Sequence, residues 1–159
     1  MIVRNQQGFT LIEMMVTLTL LATLAAAALP MVQRYQQQRN EEVLRESLRD
    51  IRSAIDRYAQ ASEEGRIEKD AEASSYPPTL DALVAGVMDK TSAEKKKIYF
   101  LRRIPRDPFC QCEGKRDSET WKLRASTQPP GEFSGGKDVF DIRSGSIETG
   151  LNGVPYAQW

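Results

Sequence analysis

An uninterrupted apolar stretch dominates the amino-terminal part of the sequence. Residues 9–32 read FTLIEMMVTLTLLATLAAAALPMV and carry a single charge, that of Glu13. About 20 helical residues cross the hydrocarbon core of a bilayer, so this stretch predicts one transmembrane helix. The leader before it, residues 1–8, has Arg4 as its only charge. A positive leader stays on the cytoplasmic side, so the rest of the chain is expected on the opposite side.

The pattern changes after residue 32, where polar residues take over. Residues 33–42 are almost wholly polar, and we expect them to stand clear of a folded domain. Beyond them, apolar residues recur at alternating intervals of four and three, which indicates one face of an α-helix. This stripe consists of Leu44, Leu48, Ile51, Ile55 and Tyr58. The sequence therefore predicts an amphipathic continuation of the helix over residues 33–62.

Two kinds of partner could cover this stripe, the chain's own domain or a second helix in a coiled coil. The stripe spans only about two to three heptads, which is short for a coiled coil and favours the chain's own domain. Pro30, near the end of the apolar stretch, cannot donate the i→i−4 hydrogen bond. It predicts a kink, either within the long helix or simply where the membrane segment ends.

Residues 63–159 carry the signals of a small folded domain. Thr79 is a candidate N-cap for a short helix over 80–88. Three strand candidates follow, at 98–103, 121–125 and 138–144. Three short antiparallel strands covering the stripe of the long helix would form an α+β domain.

Composition narrows the classes of function. Lysine plus arginine equals aspartate plus glutamate, at 22 each, so no basic excess suggests a nucleic-acid partner. The sequence contains no histidine, which excludes Ser-His-Asp and Cys-His nucleophiles and removes the commonest general base. We therefore expect a protein that is not an enzyme. Glu13 is then the residue to explain, because a carboxylate in hydrocarbon costs a few kcal/mol and usually marks function. It could also reach the interface, about one turn from the helix start.

The string GFTLIE at residues 8–13 resembles the prepilin peptidase site of type IV pilins and type II secretion pseudopilins. The resemblance implies cleavage between Gly8 and Phe9 and N-methylation of Phe9. It also implies that Glu13 of one subunit pairs with the amino-terminal amine of its neighbour, which would offset the cost of both charges in lipid. Pro30 resembles the site where the helix of such proteins bends in filaments.

Later blocks resemble the major pseudopilin of type II secretion systems. They occur in the order of that family and are YPPTLDALV, YFLRRIPRDPF, WKLRA and DVFDIRSGS. The resemblance implies the pilin fold and a structural subunit that polymerises into a short helical periplasmic fibre. A minor or major pilin of a type IV pilus, serving adhesion, motility or DNA uptake, is the alternative. A membrane-tethered binding domain outside any filament is weaker, because it leaves residues 8–13 unexplained.

The same resemblance implies a location and a set of partners. It implies a single-pass protein of the bacterial inner membrane, with its amino terminus in the cytoplasm and its domain in the periplasm. The implied partners are copies of itself, other pseudopilins or pilins, the prepilin peptidase and the proteins of the inner-membrane assembly platform.

Two features depart from the resemblance. Cys110 and Cys112 could close a small strained ring, stay as thiols or cross-link two chains. They cannot enclose the long carboxyl-terminal loop that a pilin disulfide more often closes, which favours the pseudopilin. Major pseudopilins also tend to bind calcium in that loop. Oxygen donors here could come from Asp141, Ser144, Glu148 and Asn152. The alternative to calcium is an Asn-Gly turn held by the packing of Tyr156 and Trp159.

Overall fold

The computed structural model describes residues 8–68, 74–94 and 96–159. The chain divides into two compact units, Met1–Arg39 and Asn40–Trp159. The longest element, α1 (Leu11–Glu63), contributes its first part to one unit and its second part to the other. Of the predicted leader, only Gly8 lies within the described residues.

In the first unit, the large apolar side chains of α1 are exposed. Phe9, just before the helix, is 85% exposed, and Leu24 within it is 68% exposed. Pro30 lies inside α1 and does not end it, although its nitrogen has no proton to donate. This part of α1 is long and apolar enough to cross a membrane, by length and composition.

In the second unit, α1 buries the stripe that the sequence predicts. Leu44, Ile51 and Ile55 are fully buried, and Leu48 and Tyr58 are nearly so. Residues of the chain's own domain complete this core, so the prediction of packing on the domain is confirmed. The expectation that residues 33–42 stand clear of the domain is wrong at Glu41, which is 3% exposed.

A short helix and a small sheet follow α1. Helix α2 (Leu80–Ala85) has Thr79 at its N-cap position, without a capping bond from the threonine side chain. It is shorter than predicted because Gly86, with φ of 77°, ends it and strand β1 (Val87–Met88) begins. A side chain at residue 86 would collide with the Tyr99 ring.

Strand β1 pairs antiparallel with β2 (Lys97–Ile98). The strand predicted over 98–103 is therefore wrong beyond Ile98. The amides of Phe100 and Leu101 both donate to the carbonyl oxygen of Leu83, at 3.1 and 3.0 Å. This stretch thus satisfies the open end of α2 instead of extending a sheet.

The second sheet brings the last two predicted strands together. Strand β3 (Trp121–Arg124) pairs antiparallel with β4 (Asp141–Ser144), so that Leu123 lies opposite Ile142. The described residues therefore hold two separate two-stranded sheets, and the expected three-stranded sheet is wrong. The predicted α+β class, a long helix packed on a small domain, is confirmed.

Candidate assembly site and carboxyl-terminal loop

Thr10 and Glu13 form a reciprocal cap at the start of α1. The Glu13 amide donates to the Thr10 hydroxyl at 3.3 Å. The Thr10 amide and hydroxyl both donate to Glu13 Oε2, at 3.0 and 2.9 Å. This is the capping box, in which two otherwise open backbone donors are satisfied. Sequence reasoning missed Thr10, although the spacing Thr-x-x-Glu before an apolar run is the known signature of such a cap.

The capping box satisfies the Glu13 carboxylate with neutral donors only. The ion pairs found among the described residues all lie beyond Asn40. Glu13 therefore has no cationic partner within the described part of the chain. A carboxylate in this state can accept a positively charged partner from outside the subunit.

The predicted processing site is open in the structure. Apart from the chain neighbours of Gly8, no described residue has an atom within 4 Å of the position that a side chain there would take. Phe9 is 85% exposed, so the peptide bond between Gly8 and Phe9 is not buried by the described residues. Cleavage and methylation at this bond remain predictions.

The remaining polar groups of the apolar stretch are threonines that bond to their own helix. The Thr17 hydroxyl donates to the carbonyl oxygen of Met14 at 3.0 Å. Thr19 and Thr23 donate to carbonyl oxygens one turn earlier, at 2.7 and 2.8 Å. Such bonds satisfy a hydroxyl where no water can reach it. Glu13 thus differs from every other polar side chain between residues 11 and 32.

The structure joins Cys110 and Cys112 in a disulfide. The Arg106 side chain forms hydrogen bonds to the backbone of the short ring that the disulfide closes and of the residues after it. Arg106 donates to the carbonyl oxygens of Cys112 and Lys115, at 2.5 and 2.9 Å. The ring therefore lies at the domain surface, where the Arg106 guanidinium binds one of its carbonyl oxygens.

Each of the four calcium candidates has a partner within the domain. Asp141 is bonded to Arg52 at 2.9 Å and lies 3.5 Å from Arg124. Ser144 is buried and donates to Asp107 at 2.7 Å, and Asn152 accepts from the Val154 amide at 3.0 Å. Glu148 is exposed, with a Gln111 contact at 3.5 Å.

A calcium site needs about six to eight converging oxygens. No group of three carboxylates or cysteines able to hold a metal occurs among residues 8–68, 74–94 and 96–159. Asp141, Ser144 and Asn152 are thus already bonded within the domain, and calcium binding in this loop remains a prediction.

The loop contains the Asn-Gly turn that the sequence offers as the alternative to calcium. The Gly153 amide donates to the Gly150 carbonyl, and the Gly150 amide donates to the Val154 carbonyl, both at 2.9 Å. Gly153 adopts φ of 79°, which closes a three-residue loop with Asn152 before the glycine. Tyr156 and Trp159 pack edge to face beside it, with ring centroids 5.0 Å apart.

Comparisons with known proteins bear on both units. The family model for the prokaryotic N-terminal methylation motif matches residues 3–29. The type II secretion system core protein G of Pseudomonas aeruginosa is 32% identical over 110 residues, which cover 67% of this chain and 70% of that protein. The protein of the same name from Aeromonas hydrophila is 26% identical over 110 residues, covering 67% and 69%. No solved structure is significantly similar to this chain.

These matches agree with the structural observations. The methylation motif lies on the open end of α1 and on the apolar helix, which fits a protein anchored in the inner membrane. It also fits processing by a prepilin peptidase and assembly with other pseudopilins, and the relatives do not favour the type IV pilus alternative. The chain belongs to the family of type II secretion system core protein G and is a structural pseudopilin subunit, not an enzyme.

Proposed function

We propose that the mature chain starts at Phe9 and polymerises into a short helical fibre in the periplasm. The observation that carries the proposal concerns Glu13, a carboxylate in an apolar stretch that, among the described residues, accepts hydrogen bonds from Thr10 alone. Cleavage between Gly8 and Phe9 would create an α-ammonium group four residues before it. Methylation of Phe9 would keep that amine cationic.

The amine and the carboxylate would complement each other between subunits. Each charge alone is costly in hydrocarbon, and a close pair offsets much of that cost. The neighbour's amine would meet a carboxylate that the Thr10 cap already orients. Because the amine of one subunit meets the glutamate of the next, the contact is heterologous and continues indefinitely, as a filament requires.

The proposed fibre places the apolar helices inside and the domains outside. The amino-terminal end of α1 would start on the cytoplasmic side, and the second unit would lie in the periplasm. Inner-membrane platform proteins would add subunits from the bilayer. Pro30 would let the helix bend or loosen as a subunit leaves the membrane, since it removes one bond of the helical ladder.

Intact mass and cross-linking of the protein from its native membrane test this proposal. We expect a mass that lacks residues 1–8 and carries one added methyl group. We expect Glu13→Gln to be processed in the same way but to lose fibre assembly by at least ten-fold. Thr17→Val is the matched control, because the Thr17 hydroxyl bonds only to its own helix, and it should assemble normally.

Two results would contradict the proposal. A full-length, unmethylated chain in cells that contain the peptidase would remove the amine on which it depends. Normal fibres from Glu13→Gln would remove the role of the carboxylate, even if processing is correct.

A further inference from the structure

Two charged side chains of α1 hold the carboxyl-terminal segment, which we define as residues 148–159. Glu41 and Arg52 lie on the same face of the helix as the buried stripe. They contact this segment and the neighbouring β4 through hydrogen bonds that join parts of the chain about 90 or more residues apart. Sequence reasoning assigned neither residue a role in this region.

Glu41 provides the acceptor. Its Oε1 accepts from the Leu151 amide at 2.7 Å and from the Tyr156 hydroxyl at 3.0 Å. Glu41 is 3% exposed and Tyr156 is fully buried, so these bonds are shielded from water. Arg45 lies 3.6 Å from the other carboxylate oxygen and stacks over the Trp159 ring at 4.2 Å. The negative charge of Glu41 is thus paired where it is buried.

Arg52 provides the cation. Its Nε donates to Asp141 Oδ1 at 2.9 Å, and its terminal nitrogen donates to the carbonyl oxygens of Ile142 and Trp159, at 2.9 and 3.0 Å. One carboxylate and two backbone carbonyls are the hard oxygen ligands that a structural calcium would collect. The planar guanidinium can bind several such oxygens at once because its donors point in fixed, diverging directions.

We propose that the Arg52 guanidinium serves this domain as a built-in cation. Together with the Glu41 carboxylate it holds the carboxyl-terminal segment, so that the fold of the segment does not depend on calcium. Asp141, a candidate calcium ligand, instead forms an ion pair with Arg52. The proposal concerns the domain alone and does not depend on fibre assembly.

Thermal unfolding of the full chain in detergent micelles tests the proposal. Both tryptophans, Trp121 and Trp159, lie in the second unit, so their fluorescence reports on this domain. In the unchanged protein, we expect midpoints in calcium chloride and in EGTA to agree within about 1 °C, since only a bound ligand shifts the midpoint. A saturable rise of several degrees with calcium would overturn the proposal.

Arg52→Met tests the arginine itself, because methionine keeps an unbranched apolar stem without the charge. We expect its midpoint to fall by about 5 °C or more in both solutions. Arg49→Met, at an exposed position on the same helix, should stay within about 1 °C of the parent. Equal midpoints for the two variants would overturn the proposal.

A third variant keeps the test decisive if Arg52→Met does not fold. Arg52→Lys retains the charge but loses the fork of donors, so its midpoint should lie below that of the parent. A midpoint at the parental value would show that the fork is not needed and would contradict the proposal. The comparison of calcium with EGTA in the unchanged protein remains valid in every case.

Discussion

Two stretches of α1 differ in whether their apolar side chains are buried. In the first unit, Leu20 is 59% and Leu24 is 68% exposed. In the second unit, Ile51 and Ile55 are fully buried. Both stretches are helical and carry apolar side chains. Among the described residues, only those of the second stretch are packed against other parts of the same chain.

The difference follows from how the apolar residues are distributed around the helix. Residues 9–32 are apolar on all sides, which no single small domain could cover and which suits lipid or neighbouring helices. Residues 44–58 are apolar along one stripe, which matches the width of one packed domain. The first stretch thus depends on its surroundings, whereas the second depends on the rest of its own chain.

The largest expected effect on the stability of the domain comes from a substitution at Ile51. Ile51→Ala should lower the free energy of unfolding of the domain by about 3 kcal/mol, because it removes buried methyl groups and leaves a cavity. Urea unfolding of the full chain in micelles, followed by tryptophan fluorescence, measures this. Leu20→Ala is the control in the first unit and should change the same free energy by less than about 0.5 kcal/mol. A similar loss from both variants would contradict the division.

Polar side chains also differ in how much burial makes the domain depend on them. The comparison of buried Asp107 with exposed Asp117 tests this. Asp107 is 1% exposed and accepts from the Phe109 amide at 2.9 Å and the Ser144 hydroxyl at 2.7 Å. Asp107→Ala should lower the free energy of unfolding by about 2 kcal/mol, because it leaves buried donors unpaired. Asp117→Ala, at an exposed aspartate, should cost less than about 0.5 kcal/mol. Equal effects would mean that burial of the carboxylate is unimportant.

Acid should weaken the domain through Asp138, which is buried. Burial raises the pKa of Asp138, but hydrogen bonds from Ser126 and Ser74 outweigh it, so the pKa is lowered overall. The stability that Asp138 contributes is therefore present above the ordinary pKa of aspartate, near 4, and is lost as the pH falls through the lowered value.

Asp138→Asn should cost about 1.5 kcal/mol at neutral pH and reduce the loss of stability in acid. Urea midpoints measured from pH 7 down to pH 2 would check this. If the urea midpoint of the variant fell with pH below pH 4 as steeply as that of the parent, Asp138 would not be the group responsible.

The smallest expected effect is at the turn of the carboxyl-terminal segment. Gly153 has φ of 79°, so Gly153→Ala should cost about 1 kcal/mol in backbone strain. Gly145→Ala is the control, because a new side-chain carbon there would meet Lys122 at ordinary contact distances of 3.5 and 3.6 Å. It should change the urea midpoint little. Equal costs would show that the turn conformation does not matter.

Hydrophobic spacing predicted much of the fold. The stripe from Leu44 to Tyr58, the start of α2 at Leu80 and the strands near Trp121 and Ile142 follow from local pattern. The strand over 98–103 failed because its amides bond to Leu83, a partner that spacing cannot reveal. Local pattern fixes which face is buried, and it does not fix which backbone a segment will meet.

The residues of the candidate site also fall into those that a local motif predicts and those whose partners are distant in sequence. Gly8, Phe9 and Glu13 form a contiguous motif that the sequence displays directly, and the Thr10 cap could have been found from its spacing to Glu13. Glu41 could not, because it lies in a polar stretch and its partners Leu151 and Tyr156 are more than 100 residues away. The ion pair between Arg52 and Asp141 could not be predicted either, because 89 residues separate the two side chains along the chain.

The bonds of Thr17, Thr19 and Thr23 to their own helix have a consequence for subunits that wait in the bilayer. Because these hydroxyls donate their protons within the helix, they are not free to donate to a neighbouring helix. Contacts along the flank would therefore rest mainly on the packing of apolar side chains. If subunits join through Glu13 as proposed, the polar part of their recognition would lie at the start of the helix and not along its flank.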